Sequence, residues 1–212
     1  GSNNVGVGSY AMYDNTTGSQ NVAIGESALS NNTTADYNVA VGKSALLANT
    51  TGTKNVAVGT LTLDANTVGG ENVAIGYDAL TTDTQGSHSV AVGASALRSQ
   101  NFTSATNAFN TAIGSFSMYT NTTGISNTAV GRSTLYANTT GQKNTSIGHA
   151  ALGANTTASN NTAVGQASLG ANTTGSENTA IGATALDANT TGTSNTAVGR
   201  EALSANTTAD SN

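Results

Sequence analysis

The stretch NTAVGRSTLYANTTGQK, residues 127–143, returns in altered form from one end of the chain to the other, with a period of 17. Taking the Asn of NxAxG as position 1, units open at Asn4, Asn21, Asn38, Asn55, Asn72, Ser89, Asn110, Asn127, Asn144, Asn161, Asn178 and Asn195. Eleven of them share the length of 127–143, and the one at 89–109 is longer. A fixed period of this kind is the signature of a stacked repeat architecture, in which each unit buries its apolar face against its neighbours. The array starts and stops in mid-pattern without polar caps, which reads as a piece of something longer or as ends covered by neighbours.

Constant and variable positions divide the unit. Position 4 is Val or Ile in every unit (among them Val130, Ile147 and Val164), position 5 is Gly (Gly131, Gly148, Gly165), and position 9 is Leu or Met (Leu135, Leu152, Leu169). Position 3 is Ala except at Gly6 and Ser146, and position 8 is Ala, Ser or Thr. Positions 6, 7, 10, 16 and 17 accept almost any residue. On this pattern positions 4 and 9 are expected to form the core, and the variable positions the outer face.

The apolar residues fall in two short clusters, 2–4 and 7–9, separated by the invariant glycine and by an ANTTG turn. A helical unit would place apolar residues at i, i+3, i+4 and i+7, and two glycines per unit would cost a helix about 1 kcal/mol each. Val and Ile at positions 2 and 4 alternate as a strand requires. The fold expected is an all-β parallel β-solenoid, or β-roll, of about twelve coils with two short strands per coil.

Stacking in register also accounts for the polar constants. Asn at position 1 (Asn127, Asn144, Asn161) and at position 12 (Asn138, Asn155, Asn172; Asp83 in one coil) would form ladders, each amide bonding to the next coil. Thr at positions 13 and 14 suits the same arrangement. Glycine at position 5 points to a corner that a Cβ would forbid. At position 15 Gly gives way to Ala35, Ala158 and Ala209, so that corner is expected to be less strained. The chain has no proline, as expected where backbone N–H groups are needed for the ladder.

Composition bounds the function. Of 212 residues only 8% are charged and 4% aromatic, with a net charge of −5 and no basic cluster. Nucleic acid and anionic membranes are therefore poor partners. No apolar run reaches the length of a membrane span, and no signal peptide is visible. Without cysteine there is no disulfide and no thiolate metal site. His88 and His149 lie in distant units, the carboxylates scatter over variable positions, and no nucleophile has a recurring base and orienting group. The expectation is no enzyme, no metal and no cofactor. One coil buries little apolar area against about 1–2 kcal/mol of backbone entropy per residue, so homo-oligomerisation is expected to supply the rest.

Nearly every ANTTG turn contains an N-x-T triplet, as at Asn49, Asn138 and Asn172. It can be read as a glycan acceptor or as turn chemistry, in which Asn and Thr bond their own backbone. Two irregularities interrupt the pattern. The long unit carries its extra length within RSQNFTSATNAF (98–109), and Phe102, Phe109 and Phe116 lie in or just after it, with Tyr119 near. These four aromatics are the candidate ligand contact, with inward packing of the loop as the alternative. Position 2 changes from Val in the units of 4–109 to Thr in those of 110–211, within what is otherwise one solenoid domain of residues 1–212.

NVAIGESAL (21–29) and NTAIGATAL (178–186) resemble the head repeats of YadA-like trimeric autotransporter adhesins, and the longer NTAVG and ANTTG unit is similar to arrays in bacterial and phage tail-fibre-like proteins. The units are longer than those of the head family, and ANTTG is not part of its core motif. The resemblance implies a left-handed β-roll, three chains side by side, on a cell or virion surface outside the cell, used for adhesion. A fibrous adhesin or fibre-shaft segment is thus the expected function. A self-assembling structural filament and an ice-binding threonine-rich solenoid are the alternatives.

Overall fold

The computed structural model describes residues 1–212. It is a parallel β-solenoid without helices, in which each repeat unit contributes one three-residue strand at positions 2–4. The chain contacts divide it into two compact units, Gly1–Phe109 and Asn110–Asn212. In the first, β1 (Val5–Val7), β2 (Val22–Ile24), β3 (Val39–Val41), β4 (Val56–Val58) and β5 (Val73–Ile75) stack in parallel. A two-residue strand, β6 (Gly86–Ser87), precedes β7 (Val90–Val92), which pairs with β5, and β6 itself pairs with β8 (Thr106–Asn107) of the long repeat. In the second, β9 (Thr111–Ile113), β10 (Thr128–Val130), β11 (Thr145–Ile147), β12 (Thr162–Val164), β13 (Thr179–Ile181) and β14 (Thr196–Val198) form the same ladder. Within each unit the register is kept, so every strand residue lies against its counterpart one repeat on, as Val56 against Val73 and Thr145 against Thr162.

The second strand expected at positions 7–9 does not form. Positions 7, 9 and 17 are left-handed in every coil, with φ between 47° and 63°, as at Ser133, Leu135 and Lys143. Such a residue costs about 1–2 kcal/mol when it carries a side chain. Most are held by a backbone N–H that reaches an adjacent coil: Leu135 donates to the carbonyl of Ala151, Ser133 to that of Ser115, and Lys143 to that of Ile125. Segment 7–9 is therefore a turn hydrogen-bonded from coil to coil. The glycines of position 5 have φ of 122–138°, outside the range open to other residues, whereas position 15 keeps ordinary φ and admits Ala35, Ala158 and Ala209.

The core differs from the expected one. Leu135, Leu152 and Leu169 are fully buried, but Val130 and Val164 are only half-buried and Ile147 is 40% exposed. Alternation along the strand turns positions 2 and 4 outward and position 3 inward. The interior is Ala at position 3, a small residue at position 8 and Leu or Met at position 9, together with two columns of asparagine. The narrow coil leaves room for one large side chain per turn, and Leu takes it.

Both asparagine columns are buried, and they work differently. At position 12 the ladder is amide to amide: the Nδ2 of Asn155 donates to Asn138 Oδ1 (2.9 Å) and that of Asn172 to Asn155 Oδ1 (3.0 Å). At position 1 the side-chain oxygen accepts the next coil's backbone N–H, from Asn144 to Asn127 Oδ1 and from Asn161 to Asn144 Oδ1, both 3.0 Å. The columns meet within each coil. The carbonyl of Gly141 accepts from Asn127 Nδ2 (2.9 Å) and from Asn138 Nδ2 (3.0 Å), which closes that turn of the solenoid. Thr at position 13 shares in the bonding, its hydroxyl donating to the next coil's carbonyl, as Thr139 does to Thr156 (3.1 Å). Thr at position 14 faces water.

One rung of the position-12 column breaks the rule. Asp83 stands there, fully buried, with Gln100 on the next rung, a second replacement that the asparagine pattern conceals. Its Oδ2 accepts from Gln100 Nε2 (2.7 Å), and its Oδ1 accepts the N–H groups of Gly86 (3.0 Å) and Phe102 (3.1 Å). A carboxylate has no proton to give backward, and Asn66 Oδ1 is left buried without a hydrogen-bond partner. Asp83→Asn restores that donor. It is expected to raise stability by about 1–2 kcal/mol, the usual gain from satisfying a buried acceptor, read as a higher melting temperature. An unchanged or lower melting temperature would mean that the three bonds to the carboxylate outweigh the orphaned acceptor.

Candidate functional site

The regular coils present two kinds of outer surface. One is the outward face of the strands, where columns 2 and 4 run in parallel. In the first unit the inner rungs of both columns are aliphatic: Val22 with Ile24, Val39 with Val41, Val56 with Val58, Val73 with Ile75, and Val90 with Val92, all half-buried or exposed. In the second unit column 2 is threonine and column 4 stays aliphatic, with Ile113, Ile147 and Ile181 each about two-fifths exposed. The other surface is made of the variable columns, where like positions on successive coils pair. Lys43 meets Glu26 at 3.1 Å, and Lys54 meets Glu71 at 3.2 Å. The Lys54 ammonium beside Glu71 holds its carboxyl below the ordinary glutamate value, and His88 adds to the effect.

The four aromatics expected to form a contact patch separate into three situations. Phe102 is 6% exposed and packs inward. Its N–H is held by Asp83 Oδ1, and its carbonyl accepts from Thr84 Oγ1 (2.9 Å). The hydroxyl of Thr82 donates to the carbonyls of Arg98 and Gln100, and Ala108 donates its N–H to Ser87. The insertion is thus tied to the coil before it on both sides, with Thr103, Ser104 and Ala105 at its exposed tip. Packing of Phe102, the alternative reading of the loop, is what the structure has, and Phe102 leaves the candidate site.

Phe109 is exposed and belongs to the first unit, where its ring lies 5.1 Å from that of His88. His88 Nε2 in turn is 3.1 Å from Glu71. Lys54, Glu71, His88 and Phe109 occupy the last position of successive coils, so this is one column of the first unit.

Phe116 and Tyr119 belong to the second unit and do come together. Their rings meet edge to face with centroids 5.8 Å apart. Tyr119 then stacks on Tyr136, centroids 5.3 Å apart and planes within 3°. Tyr136 is the member that sequence reasoning missed. Its signal was present, since Tyr119 and Tyr136 share position 10 of adjacent coils, and a parallel ladder must lay one ring upon the other. This three-ring cluster is the best-formed candidate contact on the second unit.

No group of three or more His, Asp or Glu side chains is placed to hold a metal ion, and no helix is long and apolar enough to cross a membrane. Apart from Asn15 and Asn206 in the terminal coils, the position-12 amides of the N-x-T triplets are buried, and those of Asn49, Asn138 and Asn172 each donate twice within the ladder and turn. Comparison with protein-family models, with curated proteins and with solved structures finds no match.

Proposed function

We propose that this chain is a non-enzymatic segment of an extracellular fibre, assembled from parallel copies packed side by side and used in attachment to surfaces. The observation that carries the reading is the uncovered aliphatic face at columns 2 and 4. A sheet face made of valine and isoleucine on successive rungs has a cost in water, and contiguous patches of this kind mark contact surfaces. The interior offers a second support. Two of its columns are amides and another two are alanine or similarly small residues, so each coil alone buries little aliphatic surface, and a shared face would add to it. The resemblance to YadA-like heads favours three copies, and a cell or virion surface as the setting.

Light scattering of the purified chain at micromolar concentration tests the assembly. The expected mass is that of a trimer, and Val56→Lys combined with Val73→Lys is expected to give a folded monomer with an unchanged circular-dichroism spectrum. Like charges on adjacent rungs of a shared dry face repel and cannot be solvated there. A monodisperse wild-type monomer would remove the side-by-side arrangement while leaving the solenoid in place.

A further inference from the structure

The aromatic column of the second unit stops abruptly, and where it stops matters. Position 10 holds Tyr119 and Tyr136 on adjacent coils, then Gly153 and Gly170 on the next two, then Asp187. Elsewhere the same position carries Tyr13, Ser30, Leu47, Asp64, Thr81, Arg98 and Ser204. The backbone does not require glycine here, because neither Gly153 nor Gly170 has a φ in the left-handed range. One face of the Tyr136 ring is covered by Tyr119, and the residue is still 39% exposed. At about 4.8 Å per rung, the Tyr136 and Asp187 rungs are about 14 Å apart, with no side chain in that column between them.

We infer that the open face of Tyr136, above Gly153 and Gly170, is a stacking platform for a hexose ring of a neutral glycan. This rests on the attachment reading above and gives it a ligand class. A flat aromatic face recognises a partner with a matching flat apolar face, and a pyranose whose hydroxyls are equatorial offers one lined with C–H bonds. The surroundings select for neutrality. Exposed groups on the same coils, His149 and Gln166 at position 6, can exchange hydrogen bonds with hydroxyls. Asp187 closes the far side of the gap, and Arg132, also exposed, stands at position 6 of the Tyr136 coil, so the two charges offset one another and neither an anionic nor a cationic ligand is favoured over a neutral one. Tyr119 and Phe116 support the platform from behind, holding the Tyr136 ring in one orientation, which reduces the ordering cost of binding.

The test is titration of the purified chain with cellotetraose and with a β-galacto-oligosaccharide, followed by calorimetry and by the tyrosine ring signals in NMR. Saturable millimolar binding is expected, with the Tyr136 ring signals shifting. Tyr136→Ala should weaken it about tenfold or more, while Tyr13→Ala, at the same position in the first unit, leaves it unchanged. Gly153→Tyr should cover the Tyr136 face with a third ring and silence the Tyr136 shift, the open face passing to the new ring above Gly170, and since position 10 accepts tyrosine in three other coils this variant is expected to fold with an unaltered circular-dichroism spectrum. Absence of saturation at tens of millimolar sugar, binding that survives Tyr136→Ala, or a Tyr136 shift that persists in Gly153→Tyr, overturns the inference. So does a shift of Tyr136 produced only by an oligoarginine peptide, which would make the platform a cation site. Beads coated with the chain keep the two readings apart. Attachment that persists with Tyr136→Ala leaves the adhesin reading standing and removes this site, whereas sugar binding without any attachment of the beads removes the adhesin reading alone.

Discussion

Gly148→Ala is expected to separate the coils on either side of it and to lower the stability of the second unit by about 3 kcal/mol or more, of which about 1–3 kcal/mol is backbone strain. Two costs combine. The φ of Gly148 is 130°, a conformation that residues with a side chain rarely hold. A Cβ built there would also stand 2.5 Å from the carbonyl oxygen and 2.7 Å from the carbonyl carbon of Gly165 on the next coil. Backbone offers no rotamer escape, so the rung must open. The strand hydrogen bonds that cross at this point, such as Gly165 N–H to the Ile147 carbonyl at 2.8 Å, would be stretched with it. The measurement is a denaturant or thermal melt of the variant beside the parent. A matched pair isolates the cause: Gly153→Ala replaces a glycine of ordinary φ in the same coil and is expected to change stability little. Equal melting of Gly148→Ala and the parent would mean that the corner is looser than its geometry states.

Much of this is legible in the sequence alone. The period, broken only at 89–109, sets the stacking, since residues recurring in register must lie over one another. The invariance of position 5 points to a backbone that only glycine accepts, and the recurrence of asparagine at positions 1 and 12 points to ladders. What could not be read was which way the strand faces. Alternation puts positions 2 and 4 on one side and position 3 on the other, but it carries no label for inside. Val and Ile are larger and more apolar than Ala, so hydrophobicity alone places Val130 and Ile147 in the core. The closed, narrow section decides otherwise, because Leu135 and Leu152 already fill it from the far side and only a residue about the size of alanine, such as Ala129 or Ser146, fits opposite them. The missing second strand has a similar origin. Left-handed backbone at Leu, Ser, Ala or Thr leaves no mark in the sequence, since residue type reveals it only when the residue is Gly or Asn. Conditions set by neighbours in space, such as the anchoring of Phe102 by Asp83, are equally silent.

The aromatic cluster shows the intermediate case. Irregularity drew attention to residues 98–119, and half of the selected residues, Phe116 and Tyr119, do share a cluster. Local density of aromatics nevertheless misled at Phe102, which the insertion folds inward. Column membership was the better guide: Tyr119 and Tyr136 are a full repeat apart and stack, whereas Phe102 and Phe109 share one repeat and part company. In a solenoid, proximity is measured along columns before it is measured along the chain.

Leu152→Asp carries the largest expected loss, and its comparison with Ile147→Lys decides the orientation of every strand. Leu152 is fully buried between Leu135 and Leu169 of the same column. Removing a leucine side chain from such a place costs about 2–5 kcal/mol by itself, and a carboxylate in its stead must lose its water. The interior is rich in amides, but they are already committed. Asn155 Nδ2 donates to Asn138 Oδ1 and to the carbonyl of Ala158, and Asn144 Nδ2 to Asn127 Oδ1 and to the same carbonyl. No proton remains for the new charge, and taking one from the ladder only moves the deficit to another buried oxygen. The expected outcome is collapse of the neighbouring coils, seen as loss of the cooperative melt of the second unit or as early proteolysis around residue 152. Ile147→Lys, on the outward face of the same coil, is expected to keep the fold, because a lysine there reaches water from a position already 40% exposed. Its effect should fall on assembly instead, as a lower mass in light scattering. If Ile147→Lys unfolds the chain and Leu152→Asp does not, positions 4 and 9 have exchanged roles and the strands face the other way.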